Sequence, residues 1–262
     1  MIGAIAGDVI GSVYEHRPVK TKGFQLFHPQ SRFTDDSVLT IAVAKAILED
    51  GDYLKWVRLF GRQYPYAGYG GSFDRWLHSD DTRPYNSWGN GSAMRVSPVG
   101  FAFDTIETVL EEAGRTACIT HNHPEGVKGA QATALAVFLA RTTRDKDRIK
   151  EEISGRFGYD LDRSPDDIRP DYGFDVSCQG TVPEAVVSFL HADSYEDAVR
   201  NAVSLGGDSD TLACIAGGMA EAYYGSGSIP TEILVSVKAR LPETLRQITE
   251  QFCGRYACKV EW

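Results

Sequence analysis

Residues 124–141 read PEGVKGAQATALAVFLAR, and from Ala130 to Ala140 small and apolar side chains stand on nearly every side of a helical wheel. A helix that is hydrophobic all round is buried all round, so this segment predicts a central helix with the rest of the chain packed about it. Working outward, residues 37–50 place Val38, Ile41, Ala42, Lys45 and Leu48 on an i, i+3, i+4 stripe. Gly51-Asp52 breaks that pattern and residues 53–63 resume it. Residues 105–118 carry Ile106, Val109, Leu110, Ala113 and Ala117 on one side. Residues 184–191, 195–203 and 211–224 read the same way. Residues 231–253 predict two helices meeting near Leu241-Pro242, because proline ends or kinks a helix. Alternating apolar and polar runs are scarce and β-branched runs are short. The expectation is an all-α fold with no internal repeat.

The longest stretch without helical period is 157–181, which holds Gly158, Pro165, Pro170, Gly173 and Gly180 among several aspartates. A loop of that length in a compact domain is usually functional or mobile. A domain linker is the alternative, but the helices that follow are too few and too apolar to stand alone. Residues 1–262 are therefore expected to form a single domain.

The chain has 262 residues, 42% of them hydrophobic, and a formal net charge of −9. A chain of this length buries roughly 70–75% of its unfolded surface. The acidic balance disfavours binding to duplex nucleic acid through a basic face. It also repels anionic small molecules unless cations intervene locally. Cys118, Cys178, Cys214, Cys253 and Cys258 are odd in number and scattered, with no CxxC pair. Neither a disulfide framework nor a zinc site is indicated, and buried free thiols in a reducing cytosol are expected. The first eight residues lack a basic leader, and no uncharged apolar run approaches the roughly 18 residues of a membrane span. A cytoplasmic protein, with a monomer favoured, is the expectation.

Two acidic clusters carry the chemistry. Thr34-Asp35-Asp36-Ser37 stands directly before the helix at Val38, and Gly206-Gly207-Asp208-Ser209-Asp210-Thr211 directly before the helix at Leu212. Either could simply cap its helix, since short polar side chains accept the orphan N–H groups of a first turn and carboxylates suit the positive end of the helix dipole. A cap uses only one or two donors, however, and each cluster offers three or four oxygens. Together they supply four carboxylates and two threonine hydroxyls, which would repel strongly at close range unless cations neutralised them. Hard divalent ions such as Mg²⁺ and Mn²⁺ prefer such oxygen ligands. Cations would also let an acidic protein hold an anionic nucleotide.

Three further segments stand out. Gly3, Gly7 and Gly11 put small residues at helical spacing, which permits close helix packing, and lead to Glu15, either a general acid/base or a solvated side chain. Ser87-Trp88-Gly89-Asn90-Gly91 is either a phosphate cradle or a tight turn. His121 and His123 precede the central helix, where an N-cap or a substrate contact is favoured over a metal site.

Taken in order, Gly7-Asp8…Glu15, Thr34-Asp35-Asp36, Gly89-Asn90-Gly91-Ser92-Ala93-Met94-Arg95, Thr120-His121 and Gly207-Asp208-Ser209-Asp210-Thr211 resemble the ADP-ribosylglycohydrolase family. The resemblance runs from residue 3 to about residue 225. It implies a compact, orthogonal multi-helix all-α bundle with a binuclear Mg²⁺ or Mn²⁺ centre, two ions per chain. It implies metal ligands at Thr34, Asp35, Asp36, Asp208, Asp210 and Thr211. Substrate contacts are implied at Ser87, Trp88, Gly89, Asn90, Gly91 and His121. Glu15, Asp35 and Asp210 are the implied catalytic residues, with the base left open between Glu15 and an aspartate. The implied reaction cleaves the C1″ bond between ADP-ribose and a modified acceptor, a protein side chain such as Ser, Thr or Arg. Free conjugates such as O-acetyl-ADP-ribose are the alternative substrates, and a non-catalytic ADP-ribose-binding protein is a third possibility. Two departures are visible. Ser37 replaces the usual threonine and should still cap, and Asn86-Ser87 stand where arginine-specific members often carry an acidic residue.

Overall fold

In the computed structural model, which describes residues 1–256, the apolar segment at 124 is a helix buried as its composition requires. Numbered along the chain, the helices are α1 (Ile2–Gly11), α2 (Asp35–Leu48), α3 (Tyr53–Gln63), α4 (Gly71–His78), α5 (Gly91–Met94), α6 (Ser97–Ala102), α7 (Ile106–Cys118) and α8 (Pro124–Thr143). They continue as α9 (Lys146–Phe157), α10 (Pro165–Ile168), α11 (Cys178–Leu190), α12 (Tyr195–Ser204), α13 (Ser209–Tyr224), α14 (Thr231–Lys238) and α15 (Glu243–Arg255). Among the described residues there is no strand, only one antiparallel bridge between Gly89 and Ser177. The fold is all-α. Helix α8 is buried from Ala132 to Ala140 and packs against α5, α6, α7, α9, α11 and α13. The buried apolar side chains form one contiguous cluster drawn from helices at both ends of the chain.

The second axis of the fold is the pairing of α1 with α13, the most extensive helix contact in the molecule. Its cause is legible in α1. A Cβ placed on Gly7 would lie 2.0 Å from the carbonyl oxygen of Ala213, and one on Gly11 would lie 2.4 Å from that of Ser209. Any side chain at these positions would push the two backbones apart. The near-touching backbones bring the C-terminal end of α1 against the N-terminal turn of α13, and α2 begins beside both.

Three differences from the sequence expectations have local causes. Helix α9 was hidden because only Ile149 and Ile153 are buried in an otherwise charged segment, too few to set a period. Helix α4 is only eight residues long and starts at a glycine, although Phe73, Trp76 and Leu77 form a buried stripe. The loop expected at 157–181 is shorter in fact. Phe157 closes α9, Ser164 and Asp167 form a reciprocal capping box on α10, and α11 begins at Cys178 with the Ser177 hydroxyl accepting from the Gly180 N–H at 3.0 Å. Irregular backbone is thus confined to residues 158–164 and 169–177. Pro183 sits inside α11, where it forfeits one backbone donor. The expectation of buried thiols also needs correcting. Cys178, Cys214 and Cys253 are buried, but Cys118 is exposed near the end of α7, and Cys258 lies outside the described residues. No described helix is long and apolar enough to cross a membrane.

Candidate active site

The site is organised around a buried carboxylate that the sequence does not advertise as one. Asp8, in the middle of apolar α1, is fully buried. Its Oδ2 accepts the Thr34 N–H at 2.9 Å and the Ser37 N–H at 3.1 Å, its Oδ1 accepts the Thr34 hydroxyl at 2.7 Å, and the Ser37 hydroxyl also donates to it. Asp8 therefore acts as a cap supplied to α2 from another helix, with four donors on its two oxygens. Thr34 is the N-cap within the chain, accepting from Asp36 N–H at 3.3 Å. Ser37, expected to cap, lies inside the first turn and donates instead.

Both acidic clusters meet at this point. Carboxylate oxygens of Asp8, Asp36 and Asp210 lie within 4.8 Å of one another, all buried. The Thr211 hydroxyl reaches Asp36 Oδ2 at 3.3 Å across 175 residues of chain. The turn that delivers Asp208 and Asp210 depends on Gly206 and Gly207, at φ of 75° and 85°, a left-handed backbone that glycine adopts without penalty. Asp208 Oδ2 accepts from Asn90 Nδ2 at 2.7 Å, which ties the Gly89–Gly91 turn to the acidic cluster.

These carboxyls cannot all be ionised without a counter-charge. Burial, and then the charge of Asp210, push Asp8 up to about 7 and hold Asp35, Asp36 and Asp208 well above the usual carboxylate range. Glu15, partly exposed at the rim, is raised by the same two causes. Asp36 Oδ1 is buried with no hydrogen-bond partner. An orphaned carboxylate oxygen inside a ring of hard oxygen donors is what a divalent cation would satisfy, so the residues present fit such an ion. Asp8 differs from the others in already accepting four hydrogen bonds from Thr34 and Ser37.

The cluster forms one end of a cavity of about 460 Å³. Thr34, Asp35, Asp36, Asp208, Asp210, Thr211 and Glu15 line it together with Ser87, Gly89, Asn90, Gly91 and His121. The structure thus brings to one cavity all but one of the residues to which the resemblance assigns a metal, substrate or catalytic role. The exception is Trp88, whose half-exposed side chain is not part of the wall. It contributes its carbonyl, which accepts from Cys178 N–H at 3.0 Å. Other wall residues were given no role by the sequence reading, among them Arg32, Tyr85, Phe174 and Arg95, which was quoted only as part of a motif. Arg95 and Asp8 carried one available signal each, a lone charge within otherwise apolar surroundings. His123 caps α8, its Nδ1 accepting from Glu125 N–H at 3.1 Å.

The comparisons with known proteins agree with this geometry. The sequence profile of the family described as ADP-ribosylglycohydrolase matches residues 1–259. ADP-ribosylhydrolase ARH3 of Mus musculus is 26% identical over 310 aligned residues, covering 88% of this chain and 84% of that protein. ADP-ribosylarginine hydrolase Tri1 of Pseudomonas putida (strain GB-1) is 25% identical over 271, covering 88% and 71%. A solved structure titled ADP-ribosylglycohydrolase-related protein complex superposes with a TM-score of 0.76 at 23% identity, over 99% of this chain and 96% of that one, which speaks to the fold.

Proposed function

The chain belongs to the ADP-ribosylglycohydrolase family and is a glycohydrolase on that account; we propose that it hydrolyses the C1″ bond of ADP-ribosyl conjugates with two divalent ions held by Thr34, Asp35, Asp36, Asp208, Asp210 and Thr211. The observation that carries this is the convergence of the 34–36 and 208–211 clusters in one cavity, with the Gly89–Gly91 turn tied to them through Asn90 and Asp208. The cavity volume lies in the usual range of small-molecule sites. Bound ions would cancel the local negative charge and polarise ribose hydroxyls as Lewis acids.

The chain's own residues then have distinct tasks. The Gly89–Gly91 turn and His121 line the same cavity, and the close approach that these glycines allow suits them to the anionic pyrophosphate. Glu15, whose carboxyl is raised from its ordinary value by burial and by the Asp210 charge, is placed to give a proton to the departing acceptor atom as the C1″ bond breaks. Water supplies the oxygen that bonds to C1″, and its proton restores the acid. The aspartates, Asp35 and Asp210 above all, orient the ribose and that water. As acceptor we favour serine or threonine over arginine, since Asn86 and Ser87 place no carboxylate before the turn to pair with a guanidinium.

The test is release of ADP-ribose from serine-, threonine- and arginine-modified peptides and from O-acetyl-ADP-ribose, with Mg²⁺, with Mn²⁺ and after chelation. Metal-dependent release, fastest from a serine- or threonine-linked substrate, is expected. Release that survives chelation undiminished, or none from any of the four, overturns the reading.

A further inference from the structure

His121 lines the cavity, yet its other face is tied to a buried cation. Arg95 is fully buried, and its Nη2 donates to the Thr116 carbonyl at 2.7 Å and to the Thr120 hydroxyl oxygen at 2.9 Å. The same Thr120 oxygen lies 2.7 Å from His121 Nδ1. We propose that Arg95 and Thr120 are positioning residues that set the tautomer of His121, so that its Nε2–H faces the cavity as a permanent hydrogen-bond donor for an anionic oxygen of the ligand.

The direction of each bond follows from what the groups can do. A guanidinium has only donors, so Thr120 Oγ1 must accept from Arg95. The hydroxyl then has one proton of its own to place, and among the described residues no acceptor other than His121 Nδ1 bonds to Thr120 Oγ1. Nδ1 therefore accepts, and a neutral imidazole that accepts at Nδ1 carries its proton on Nε2. The opposite tautomer would make the hydroxyl accept twice and strand its proton in a buried site. Protonation of the ring is opposed as well, because burial and the nearby Arg95 charge hold His121 well below its ordinary value.

Nε2 is aimed where a ligand would need it. A Cβ on Gly91 would lie 3.2 Å from it and one on Gly89 would lie 3.7 Å away, so this nitrogen stands against the Gly89–Gly91 turn. Among the described residues it has no hydrogen-bond partner of its own, and His121 keeps 5% of its surface exposed. Arg95 meanwhile leaves Nε and Nη1 buried and unpartnered. A buried cation satisfied at only one nitrogen is destabilising, and such local violations cluster at functional positions. That the ligand is the pyrophosphate of ADP-ribose rests on the proposed function, while the tautomer does not.

The experiment is long-range ¹H–¹⁵N spectroscopy of ¹⁵N-histidine-labelled protein without ligand between pH 5 and 8, with His121 identified by loss of its signals in His121→Gln. A protonated Nε2 and an unprotonated Nδ1, unchanged across that range, are expected. Thr120→Val, which keeps the volume and removes the hydroxyl, should let the other tautomer or a titrating ring appear and weaken ADP-ribose binding by roughly tenfold, the worth of one hydrogen bond. Thr120→Ser should restore both. A wild-type ring protonated at Nδ1, a Thr120→Val spectrum like the wild type, or failure of Thr120→Ser to rescue overturns the proposal. If the tautomer is as expected and wild-type protein does not bind ADP-ribose, the proposed function fails and the tautomer assignment stands.

Discussion

Glu15 sits at the cavity rim beside His16, their side chains 3.7 Å apart, with the Asp210 charge adding to burial in raising its carboxyl. A carboxyl so placed holds its proton more tightly than an exposed one and can pass it to a departing group. Glu15→Gln keeps the shape and removes the function. General acid catalysis contributes about 10²–10⁴-fold, so kcat should fall by that factor while ADP-ribose binding persists. A variant turning over at wild-type rate would make Glu15 structural. Asp8 has a different task, since it anchors Thr34 and Ser37 through four accepted hydrogen bonds. Asp8→Asn offers two N–H donors to groups that already donate. Outer-shell changes of this kind typically weaken metal binding by about 10–100-fold, so calorimetric titration with Mn²⁺ should show a loss in that range. Affinity equal to wild type would remove Asp8 from the support of the metal site.

Among the elements, α1 and α13 depend on their glycines and α9 does not. A Cβ on Gly7 would meet the Ala213 backbone at 2.0 Å, where nothing can yield except the helix itself. Overpacking costs typically 1–3 kcal/mol, and with rigid backbone on the far side Gly7→Ala should lose at least about 3 kcal/mol. A fall in the urea midpoint would report it, together with weaker cation binding as the two helices separate. Gly155, in the last turn of α9, meets nothing within 4 Å. Gly155→Ala should raise stability by about 0.5–1 kcal/mol, because glycine loses more chain entropy on folding. If the two variants shift the midpoint alike, close helix contact is not what glycine serves in α1.

At the level of the whole molecule, the acidic cluster couples folding to pH and to cations. Asp8 rises from 3.8 to about 7 on folding, and Asp35, Asp36 and Asp208 rise with it. Between pH 4 and 7 the folded state therefore binds more protons than the unfolded one, so stability falls as pH rises through that window. The cluster's contribution is complete below the unfolded value and gone above the folded one. Chelated protein should show a melting temperature that drops between pH 5 and 8, and added Mg²⁺ or Mn²⁺ should restore more at pH 8 than at pH 5, because cations and protons compete for the same oxygens. A melting temperature that rises with pH in chelator, or a cation effect independent of pH, would count against a shared ion site.

Local chemistry made much of this protein legible from its residues alone. The all-round apolar surface of 124–141 could only be a buried helix, the oxygen-rich turns at 34–37 and 206–211 exceeded what helix caps use, and Gly3, Gly7 and Gly11 announced a close contact without naming its partner. These features act through short-range periodicity and the preferences of a single turn, which a sequence displays directly. What α1 touches, and therefore that Asp8 stands beneath the start of α2 beside Asp210, was decided by packing between helices some two hundred residues apart in the chain. The same holds for the Arg95–Thr120–His121 relay and for Trp88, whose carbonyl is bound to α11 while its side chain lies outside the cavity wall. Hydrogen-bond direction and charge crowding depend on distances of a few ångströms between distant segments, and only close packing in three dimensions sets those distances.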